Sequence, residues 1–542
     1  MMIRNRIYLR LFIVSASLFY GFFLSTQVAS SASGGLIWEQ NSNPGNDENI
    51  AWDVAIDSTD VYIAGGVTDR IGGVPNTKWR IEKRSINNGS LQWEYMIDIQ
   101  PIGSGKYEEA KAIAVDGTGV YIGGTDGGGN ALIEKRSLFD PSILLWSSTR
   151  VHSGWSNNKV IDIALNSGEV YTVGSYYDGS QMVDFTERFS SVNGSLIDSV
   201  TDRLPIDGEL TGIVAYNSNI YKSGLGGTDF SNLSPYIIAP SWSKKSDYST
   251  MSGPWLHRYG IAVDSTGVYI NTDKTIEKYS LADGILNWTY ITSSSVPSNN
   301  YYNIAIDSSG VYVVGHNNAV GDSQIVIEKH SKDTGELVGG MLSNPGSGTD
   351  VGFGITLDAG GIYVVGMTAS QWRMEKRELL NVPPIASFTV TPPSGTTITV
   401  FNVDASGSSD PETPLADLEV RWDWENDGTW DTGWSLTKTN SYTYSTAGLK
   451  TIKMEVKDTD GEIDSTTRTV TVNEAFIDCG LRVDDGTGIV KFACEPDGTL
   501  TSPLRVHKNG TTYGAILVNT TDPLASKVRI KTPAGVKALR KY

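Results

Sequence analysis

IAVDSTGVYI, residues 261–270, is the stretch that decides the fold of this chain. Its alternating apolar residues predict two short β-strands, Ile261–Asp264 and Val268–Ile270, because successive side chains of a strand point to opposite faces. A tight turn at Ser265–Gly267 joins them, since Ser and Gly favour turn conformations. Variants of the stretch recur along the chain, each with a tyrosine at the corresponding place: Tyr62, Tyr121, Tyr171, Tyr221, Tyr269, Tyr312 and Tyr363.

Each copy opens a longer repeat, and the tyrosines of consecutive copies lie 43 to 59 residues apart. Most repeats continue with a strand of the type I-E-K-x-S. After a Gly-containing turn comes an aliphatic strand that often ends in tryptophan, as at Trp93, Trp146 and Trp288. Four short strands in a repeat of roughly 40–50 residues are typical of a β-propeller blade. The pattern therefore predicts an all-β chain in which residues 34–380 form a seven-bladed β-propeller, with the fourth blade the least regular.

The two ends of the repeat region complement each other. The last repeat ends at Leu379 without a fourth strand, whereas the strand-like segment GGLIWEQ, residues 34–40, precedes the first repeat. An N-terminal strand that completes the final blade closes a propeller and limits exposed sheet edges. We therefore expect the strand at 36–39 to pair with the strand at 371–377.

The acids and histidines of the repeats form no catalytic pattern. The Glu of the I-E-K motif recurs beside Lys or Arg, and a repeated group is better explained by packing than by a singular catalytic role. We interpret these glutamates as forming ion pairs or hydrogen bonds between blades. The five histidines have no paired spacing, and we interpret each as a surface or turn residue. The glutamates are Glu82, Glu134, Glu187, Glu277, Glu328 and Glu375.

Residues 1–33 have the order of a secretory signal peptide. Arg4, Arg6 and Arg10 precede an apolar run, and small residues follow it. No later stretch approaches the ~18 apolar residues of a membrane span, so we expect no transmembrane segment after removal of the signal. The formal net charge is −18, and it is −21 without these three arginines. A charge of this sign disfavours nucleic-acid binding and suits a secreted, extracellular or cell-surface protein.

A second unit follows the repeats at residues 381–474. It contains VDASGSSDPE, residues 403–412, the core Trp422-Asp423-Trp424 and the strand end Val456-Lys457-Asp458. On these motifs, residues 383–473 resemble a PKD domain, which is an immunoglobulin-like β-sandwich. The resemblance implies a spacer or adhesion module of an extracellular protein. The propeller more loosely resembles the quinoprotein-like (PQQ-type) class, through the pattern D-G-x-L-x-W at Asp283–Trp288. That resemblance implies a fold in which tryptophan docks one blade on the next, and no quinone site accompanies it.

One loop of the second unit has the ligand spacing of a calcium site. Asp423, Glu425, Asp427 and Asp431 stand at loop positions 1, 3, 5 and 9, with Gly428 at position 6. The acid expected at position 12 is absent, because Trp434 stands there. The alternative is that Asp427-Gly428 makes an ordinary hairpin turn. Calcium is therefore the only cofactor that the sequence suggests.

Residues 475–542 are expected to form a third unit, a small β-rich C-terminal domain. Cys479 and Cys494 are the only cysteines, and a lone pair in an exported chain predicts one disulfide. The alternative is two buried free thiols. The last 16 residues are basic without an acid, which indicates either a solvated tail or a contact with an acidic envelope polymer.

Aromatic residues in the irregular segments between strands are the candidates for ligand binding. Rings flanked by Ser, Asn and Asp suit stacking on sugar rings, with hydroxyl groups hydrogen-bonded alongside. The alternative is that several of these rings belong to the core. We predict a glycan or protein partner surface centred on the fourth repeat. The candidate residues are Trp155, Tyr176, Tyr177, Trp242, Tyr248 and Trp255.

Three functions stay open. The sequence favours a noncatalytic secreted or cell-surface binding or adhesion protein whose propeller loops contact a glycan or protein. The second function is a secreted enzyme acting on polysaccharide or peptide, with carboxylates in the propeller mouth. The third is a structural surface-layer subunit.

Overall fold

The described residues lie in strands, turns and bends, and none of them lies in a helix. Accordingly, they include no helix with the length and hydropathy needed to cross a membrane. The computed structural model describes residues 34–45, 47–99, 107–152, 158–202, 209–227, 233–240, 243–245, 259–292, 299–317 and 322–475, and six further strands between 477 and 538.

Seven four-stranded antiparallel sheets occupy residues 36–377. Their strands are β1 (Leu36–Ser42), β2 (Asn49–Ile56), β3 (Asp60–Ile71), β4 (Val74–Ser85), β5 (Leu91–Ile97), β6 (Glu108–Asp116), β7 (Gly119–Asp126), β8 (Ala131–Arg136), β9 (Leu144–Arg150), β10 (Lys159–Asn166), β11 (Glu169–Tyr177), β12 (Met182–Ser190), β13 (Leu196–Asp202), β14 (Glu209–Tyr216), β15 (Asn219–Gly227), β16 (Leu233–Ile238), β17 (Ser243–Lys245), β18 (Ile261–Asp264), β19 (Gly267–Asn271), β20 (Thr275–Tyr279), β21 (Leu286–Ile291), β22 (Asn299–Ile306), β23 (Val311–Asn317), β24 (Gln324–His330), β25 (Leu337–Ser343), β26 (Asp350–Asp358), β27 (Gly361–Thr368) and β28 (Gln371–Arg377). The first six sheets each use four consecutive strands, starting at β2, and the seventh joins β26, β27 and β28 with β1.

The hairpin IAVDSTGVYI forms the first two strands of the fifth sheet, with Ala262 opposite Tyr269. Its second strand is longer than predicted at both ends, since β19 covers Gly267–Asn271. In the turn, Oδ1 of Asp264 accepts a hydrogen bond from the Thr266 amide at 2.7 Å. A carboxylate that bonds its own backbone two residues on stabilises a tight turn. This local signal explains why the repeat could be predicted from sequence.

The repeated tyrosine is tied to the aspartate of its own turn. The Tyr62 hydroxyl donates to Asp57 Oδ2 at 2.8 Å, and the Tyr121 hydroxyl donates to Asp116 Oδ2 at 3.0 Å. Burial and the bond to Asp57 raise the pKa of Tyr62 well above its usual range. Burial acts to raise the pKa of Asp116 too, but hydrogen bonds from Thr118 and Tyr121 outweigh it, and the net pKa is lowered. The aspartate is therefore held as an anion next to the tyrosine hydroxyl.

Each sheet contacts the first strand of the next sheet along the chain, and the strands of the seventh sheet contact β2, the first strand of the first sheet. We call each contact a junction and number it after the earlier sheet. The first strands are rich in buried Ile, Val and Ala. Apolar side chains on both sides of a junction form shared clusters, such as Val160 and Ile163 with Tyr121 and Ile133 at the second junction. Burial of such groups is the main favourable term in packing one sheet on another.

The seventh sheet is completed by the N-terminal strand. β1 pairs antiparallel with β28, from Leu36 opposite Arg377 to Ser42 opposite Trp372. The Arg373 guanidinium also donates to Glu39 Oε2 at 2.7 Å across 334 positions of sequence. The strand expected at 36–39 thus pairs with the expected partner, and it extends three residues further.

Residues 381–475 contain two smaller sheets, which we call the two-sheet unit. Its strands are β29 (Thr389–Thr391), β30 (Ser394–Thr396), β31 (Phe401–Asp404), β32 (Glu419–Asp423), β33 (Thr439–Tyr442), β34 (Gly448–Lys457) and β35 (Ile463–Asn473). The sheet orders are β29-β31-β33 and β30-β35-β34-β32, with β30 parallel to β35. One core of buried side chains includes Trp422 and Trp424, whose rings stack 5.6 Å apart. The Tyr444 hydroxyl donates to the Trp424 carbonyl at 2.6 Å, which satisfies its polar end inside this core.

Six strands follow the two-sheet unit. They are β36 (Ile477–Asp484), β37 (Ile489–Cys494), β38 (Arg505–Lys508), β39 (Thr511–Gly514), β40 (Arg529–Thr532) and β41 (Gly535–Ala538). β36 and β37 pair with Ile477 opposite Cys494, so Cys479 and Cys494 lie on neighbouring strands. Their disulfide stays a prediction. The signal at 1–33 and the final residues 539–542 of the basic tail lie outside the described residues.

Candidate functional site

A lysine, a tyrosine and a tryptophan meet at four of the junctions. At the first junction, Lys83 Nζ lies 5.4 Å from the centre of the Tyr62 ring, and that ring lies 6.3 Å from the Trp93 ring. A cation over an aromatic face is attracted by the negative face of the ring. The second, fifth and seventh junctions repeat the arrangement with Lys135, Tyr121 and Trp146, with Lys278, Tyr269 and Trp288, and with Lys376, Tyr363 and Trp38.

The lysine and the tryptophan hold the next sheet by one backbone carbonyl. Lys83 Nζ and Trp93 Nε1 both donate to the carbonyl of Leu138, at 3.3 and 3.1 Å. Leu138 lies in the turn between the third and fourth strands of the following sheet. The shared acceptors at the second, fifth and seventh junctions are Ser191, Lys332 and Ile86. We call this arrangement the Lys–Tyr–Trp lock.

A glycine in the accepting turn lets the tryptophan lie close. Gly194 has φ +68°, and a Cβ added there would lie 2.5 Å from Cε3 of Trp146. Gly89 and Gly335 make the same approach to Trp38 and Trp288. A side chain at these positions would meet a left-handed backbone and an aromatic ring at once. The lock therefore needs residues of both sheets.

The glutamate of the I-E-K motif lies on the face of its strand opposite to the face that carries the lysine. Glu82 pairs with Arg84 on its own strand, and Glu134 pairs with Arg136 in the same way. The expectation that these two acids reach between blades is wrong, because their partners lie two residues away on the same face. Glu187 and Glu375 do cross to the preceding sheet, where they accept from Arg150 Nε and from Ser343 Oγ, each at 2.8 Å. Contact with the following sheet is made by the lysine.

The sixth junction lacks the tryptophan, and its lysine pairs with a residue of the two-sheet unit. Gly339 stands opposite Lys329, at the register position that is tryptophan in the locks. Lys329 is completely buried, donates to the Leu380 carbonyl at 2.8 Å and pairs with Glu412. Burial raises the pKa of Glu412, although Lys329 acts to lower it. A buried lysine is compatible with folding here because a carboxylate and a carbonyl compensate its charge.

The turn that carries Glu412 is held in shape by its own side chains. Oδ1 of Asp410 accepts from the amide of Glu412 at 2.8 Å and from that of Thr413. The sequence of this turn is Asp-Pro-Glu-Thr. A short acidic turn therefore presents Glu412 to the buried lysine of the sixth junction.

The third junction also lacks the tryptophan, and there the place is open. Asp198 stands opposite Arg188, at the register position of lysine and tryptophan in the locks. A cleft of about 360 Å³ lies between the third and fourth sheets at this point. Its lining combines apolar and charged groups: Tyr171, Thr186, Arg188, Asp198, Val200, Ile220, Lys222, Ile238, Ala239 and Pro240. We call it the junction cleft, and we take it as the candidate binding site, because concave sites with a few placed polar groups are typical of ligand pockets.

Charged groups line one wall of the junction cleft. Arg188 Nη2 donates to Asp198 Oδ2 at 2.8 Å, and its Nη1 lies 3.3 Å from Glu169 Oε2. Hydrogen bonding to Tyr171 and pairing with Asp198 raise the pKa of Arg188, which stays a cation at every relevant pH. The Arg188 and Asp198 side chains are 33% and 51% exposed, so their pair is open to solvent. On the other wall, Lys222 Nζ donates to Thr186 Oγ1 at 3.0 Å.

Sequence reasoning missed Arg188, Asp198 and Lys222. The available signal was the replacement of Lys and Trp by Arg188 and Asp198 at paired positions of the third repeat. The signal stands out only once β12 and β13 are set in register, because Arg188 and Asp198 are ten positions apart in sequence and meet only across the two strands.

Four of the six aromatic candidates lie outside the described residues: Trp155, Trp242, Tyr248 and Trp255. Tyr176 is half-buried and stacks on His152 with ring centres 4.7 Å apart. Tyr177 is 36% exposed at the end of β11. Neither lines the junction cleft. A binding surface that includes these aromatic residues stays a prediction.

The acids of the suspected calcium loop bond to the backbone of the loop itself. Asp423 is buried, and its two oxygens accept from the amides of Asp427 and Gly428 at 3.2 and 3.0 Å. Asp431 accepts from the Trp424 amide at 2.8 Å, and Glu425 from the Tyr442 hydroxyl at 3.2 Å. Among the described residues, no three His, Cys, Asp or Glu side chains come close enough together to hold a metal. These bonds agree with the hairpin alternative, and calcium binding stays a prediction.

The expectation that every histidine lies at the surface or in a turn is wrong for His330. Its side chain is completely buried in β24, with Nδ1 3.1 Å from the Gly335 carbonyl and Nε2 3.2 Å from Glu328. The ring takes the place that Arg84, Arg136 and Arg377 have beside the corresponding glutamates. Its role here is packing and hydrogen bonding within the sheet.

A second, broader concavity of about 560 Å³ lies on the three-stranded sheet of the two-sheet unit. Exposed Thr389, Asn402, Thr439 and Ser441 are among the residues that line it. It has no cation in its lining and little apolar surface, so it offers a ligand fewer distinct contacts than the junction cleft does.

Comparison with known proteins identifies no family. No protein-family model matches the chain, and no curated protein matches it. Among solved structures, the chain is similar to the PKD1 domain of Vibrio anguillarum Epp, with 26% identity, a TM-score of 0.14 and coverage of 18% of this chain and 99% of that one. It is also similar to the extracellular domain of BT3049 from B. thetaiotaomicron, a protein named as a hybrid two component system, with 10% identity, a TM-score of 0.36 and coverage of 82% of this chain and 58% of that one. At these TM-scores, neither likeness identifies a shared fold or function.

Proposed function

We propose that the seven sheets are the blades of a seven-bladed β-propeller. The support is that each sheet contacts the next, that the seventh contacts the first, and that the lock of the seventh junction is completed by Trp38 of β1. We also propose that the two-sheet unit is a PKD-type β-sandwich. Its two sheets enclose the Trp422 and Trp424 core on which the sequence resemblance rests.

On this fold we propose a noncatalytic binding protein that is secreted or displayed on a cell surface. The observation that carries the proposal is the junction cleft, the one place where the described junctions leave the position of the tryptophan open to solvent. A propeller interface that has lost its docking residue and kept a charged, partly apolar cleft is suited to receive a partner. The signal-like segment 1–33 and the acidic net charge support an extracellular location.

The test is a binding screen of the chain without residues 1–33 on arrays of glycans and of extracellular proteins. The variant Asp198→Trp serves as the comparison, since it restores the residue of the four locks and fills the cleft. We expect at least one partner to bind the wild-type chain and to lose at least tenfold in affinity with the variant. Equal binding by both proteins would move the function away from this cleft, and turnover of an arrayed polysaccharide or peptide would show that the protein is an enzyme.

A further inference from the structure

The sixth junction pairs its cation with an acidic turn of the two-sheet unit. At the sixth junction, the position opposite the buried cation Lys329 holds no side chain, because residue 339 is glycine. The acidic turn 410–413 of the two-sheet unit supplies Glu412 to that cation. The corresponding cation of the third junction is Arg188. The same place in two repeats therefore presents a cation toward the position of the lost tryptophan.

We propose that the junction cleft binds an acidic turn of a partner polypeptide, in the way that the sixth junction binds Asp410–Thr413. This inference rests on the proposed binding function and names the class of partner. Displacement of Asp198 frees Nη2 of Arg188 for the incoming carboxylate, while Nη1 keeps its contact with Glu169. Lys222 is a second cation on the facing wall, and Val200, Ile220 and Ile238 provide apolar surface for the stem of the turn.

Asp198 is the group that an incoming carboxylate displaces. Its pair with Arg188 is half-exposed, and exposed ion pairs contribute little stability because water screens and solvates both charges. Exchanging one carboxylate for another at Arg188 therefore costs little, while the incoming turn also covers apolar surface. An oligosaccharide is a poorer fit, because Tyr171 is the single aromatic residue among those that line the cleft.

The probe for the test is a nine-residue peptide with the sequence of residues 407–415, Gly-Ser-Ser-Asp-Pro-Glu-Thr-Pro-Leu, blocked at both ends. A matched peptide carries Gln in place of Glu412. Binding of each peptide to the full chain is measured by calorimetry and by chemical-shift changes. We expect the acidic peptide to bind at least tenfold more tightly than its Gln counterpart, because only the carboxylate pairs with Arg188.

Two substitutions of Asp198 are expected to change the affinity in opposite directions. Asp198→Gly copies the sixth junction and removes the competing carboxylate, so affinity for the acidic peptide is expected to rise by about threefold to fivefold. Asp198→Trp copies the locks and is expected to abolish binding. Glu336→Gln, in an exposed turn of the sixth sheet, removes the same charge elsewhere and is expected to leave affinity unchanged. A cooperative thermal transition well above the assay temperature shows that each variant is folded, and Arg188→Ala, which is expected to abolish binding, is the second variant if Asp198→Trp does not fold.

The outcomes separate the inference from the proposed function. The affinity order Asp198→Gly, wild type, Asp198→Trp supports the acidic-turn partner. No binding at millimolar peptide, equal binding of the two peptides, or an unchanged affinity of Asp198→Gly overturns it. If a glycan of the array binds the wild type and fails with Asp198→Trp while the peptide does not bind, the inference is wrong and the binding function stands.

Discussion

The third and sixth junctions share the loss of the tryptophan and differ in what has replaced it. Both keep a cation on the third strand, Arg188 or Lys329, facing the following sheet. At the sixth junction, Gly339 brings no charge to Lys329, and Glu412 from the two-sheet unit supplies it. At the third, Asp198 supplies the charge from its own sheet, so the space is left over as the junction cleft. The residue opposite the cation on the fourth strand, Gly339 or Asp198, thus decides whether the junction pairs with the two-sheet unit or remains an open cleft.

The largest effect on stability is expected at the seventh junction, because the tryptophan of its lock, Trp38, comes from the N-terminal end of the repeat region. Deletion of residues 34–42 removes β1, its pairing with β28 and the buried Trp38. Truncating a buried tryptophan alone costs about 3–5 kcal/mol, and the lost ladder hydrogen bonds add to that. We expect the free energy of unfolding in urea to fall by more than Trp38→Ala alone lowers it. An unchanged midpoint would show that the seventh sheet does not depend on β1.

A smaller effect is expected from the cation of the filled junction. Lys329→Met leaves the partly buried Glu412 without its partner, and the cost is expected to approach the value of about 3–5 kcal/mol that is typical of a broken buried pair. The matched substitution Arg188→Met removes a half-exposed pair and is expected to cost about 1 kcal/mol or less. Urea denaturation of both variants measures the difference. Equal losses would mean that the two junctions do not differ in how they bury charge.

The glycine of a locked junction tests how closely the tryptophan lies. Gly194→Ala introduces a methyl group into the Trp146 ring at a left-handed position, and we expect a loss of about 2–4 kcal/mol. Gly72 has a similar φ of +61° with no atom within 4 Å of the added Cβ. Gly72→Ala should therefore cost only the backbone strain, about 1–2 kcal/mol. Thermal midpoints of the two variants compare them, and identical shifts would argue against a tight ring contact.

The smallest effect on stability is expected for the aspartate that bonds to the hydroxyl of the repeated tyrosine. Asp116→Asn copies the third repeat, where Asn166 stands at this place, and is expected to cost about 1 kcal/mol at neutral pH. The folded-state pKa of Asp116 is lowered, so its stabilisation is present above the unfolded-state value of about 3.9 and is lost as the pH falls through the folded-state pKa. The difference between variant and wild type should shrink in acid. A difference independent of pH would exclude the charged aspartate as its cause.

The repeats and the pairing of β1 were predictable because their signals are local. Alternating side chains, turn aspartates and glycines specify each hairpin without knowledge of its neighbours. The interface roles of Glu82 and Lys83 were not predictable, because adjacent residues of a strand face opposite neighbours and the sequence does not say which face meets the next sheet. The lysine faces the following sheet, and the glutamate faces the other way. The role of Asp198 was not predictable for a related reason, because it depends on the cross-strand partner Arg188.

The pairing of β1 with β28 has a consequence for biogenesis. Residues 36–42 leave the ribosome early, whereas their partner strand at 371–377 is made more than 300 residues later. Contacts between distant parts of a chain form slowly, and an unpaired strand edge is prone to aggregate while it waits. Glu39, which ends as the partner of Arg373, puts a negative charge on this edge in the meantime. A chain cut short during synthesis would lack the partner strand, so only a full-length repeat region can complete the seventh sheet.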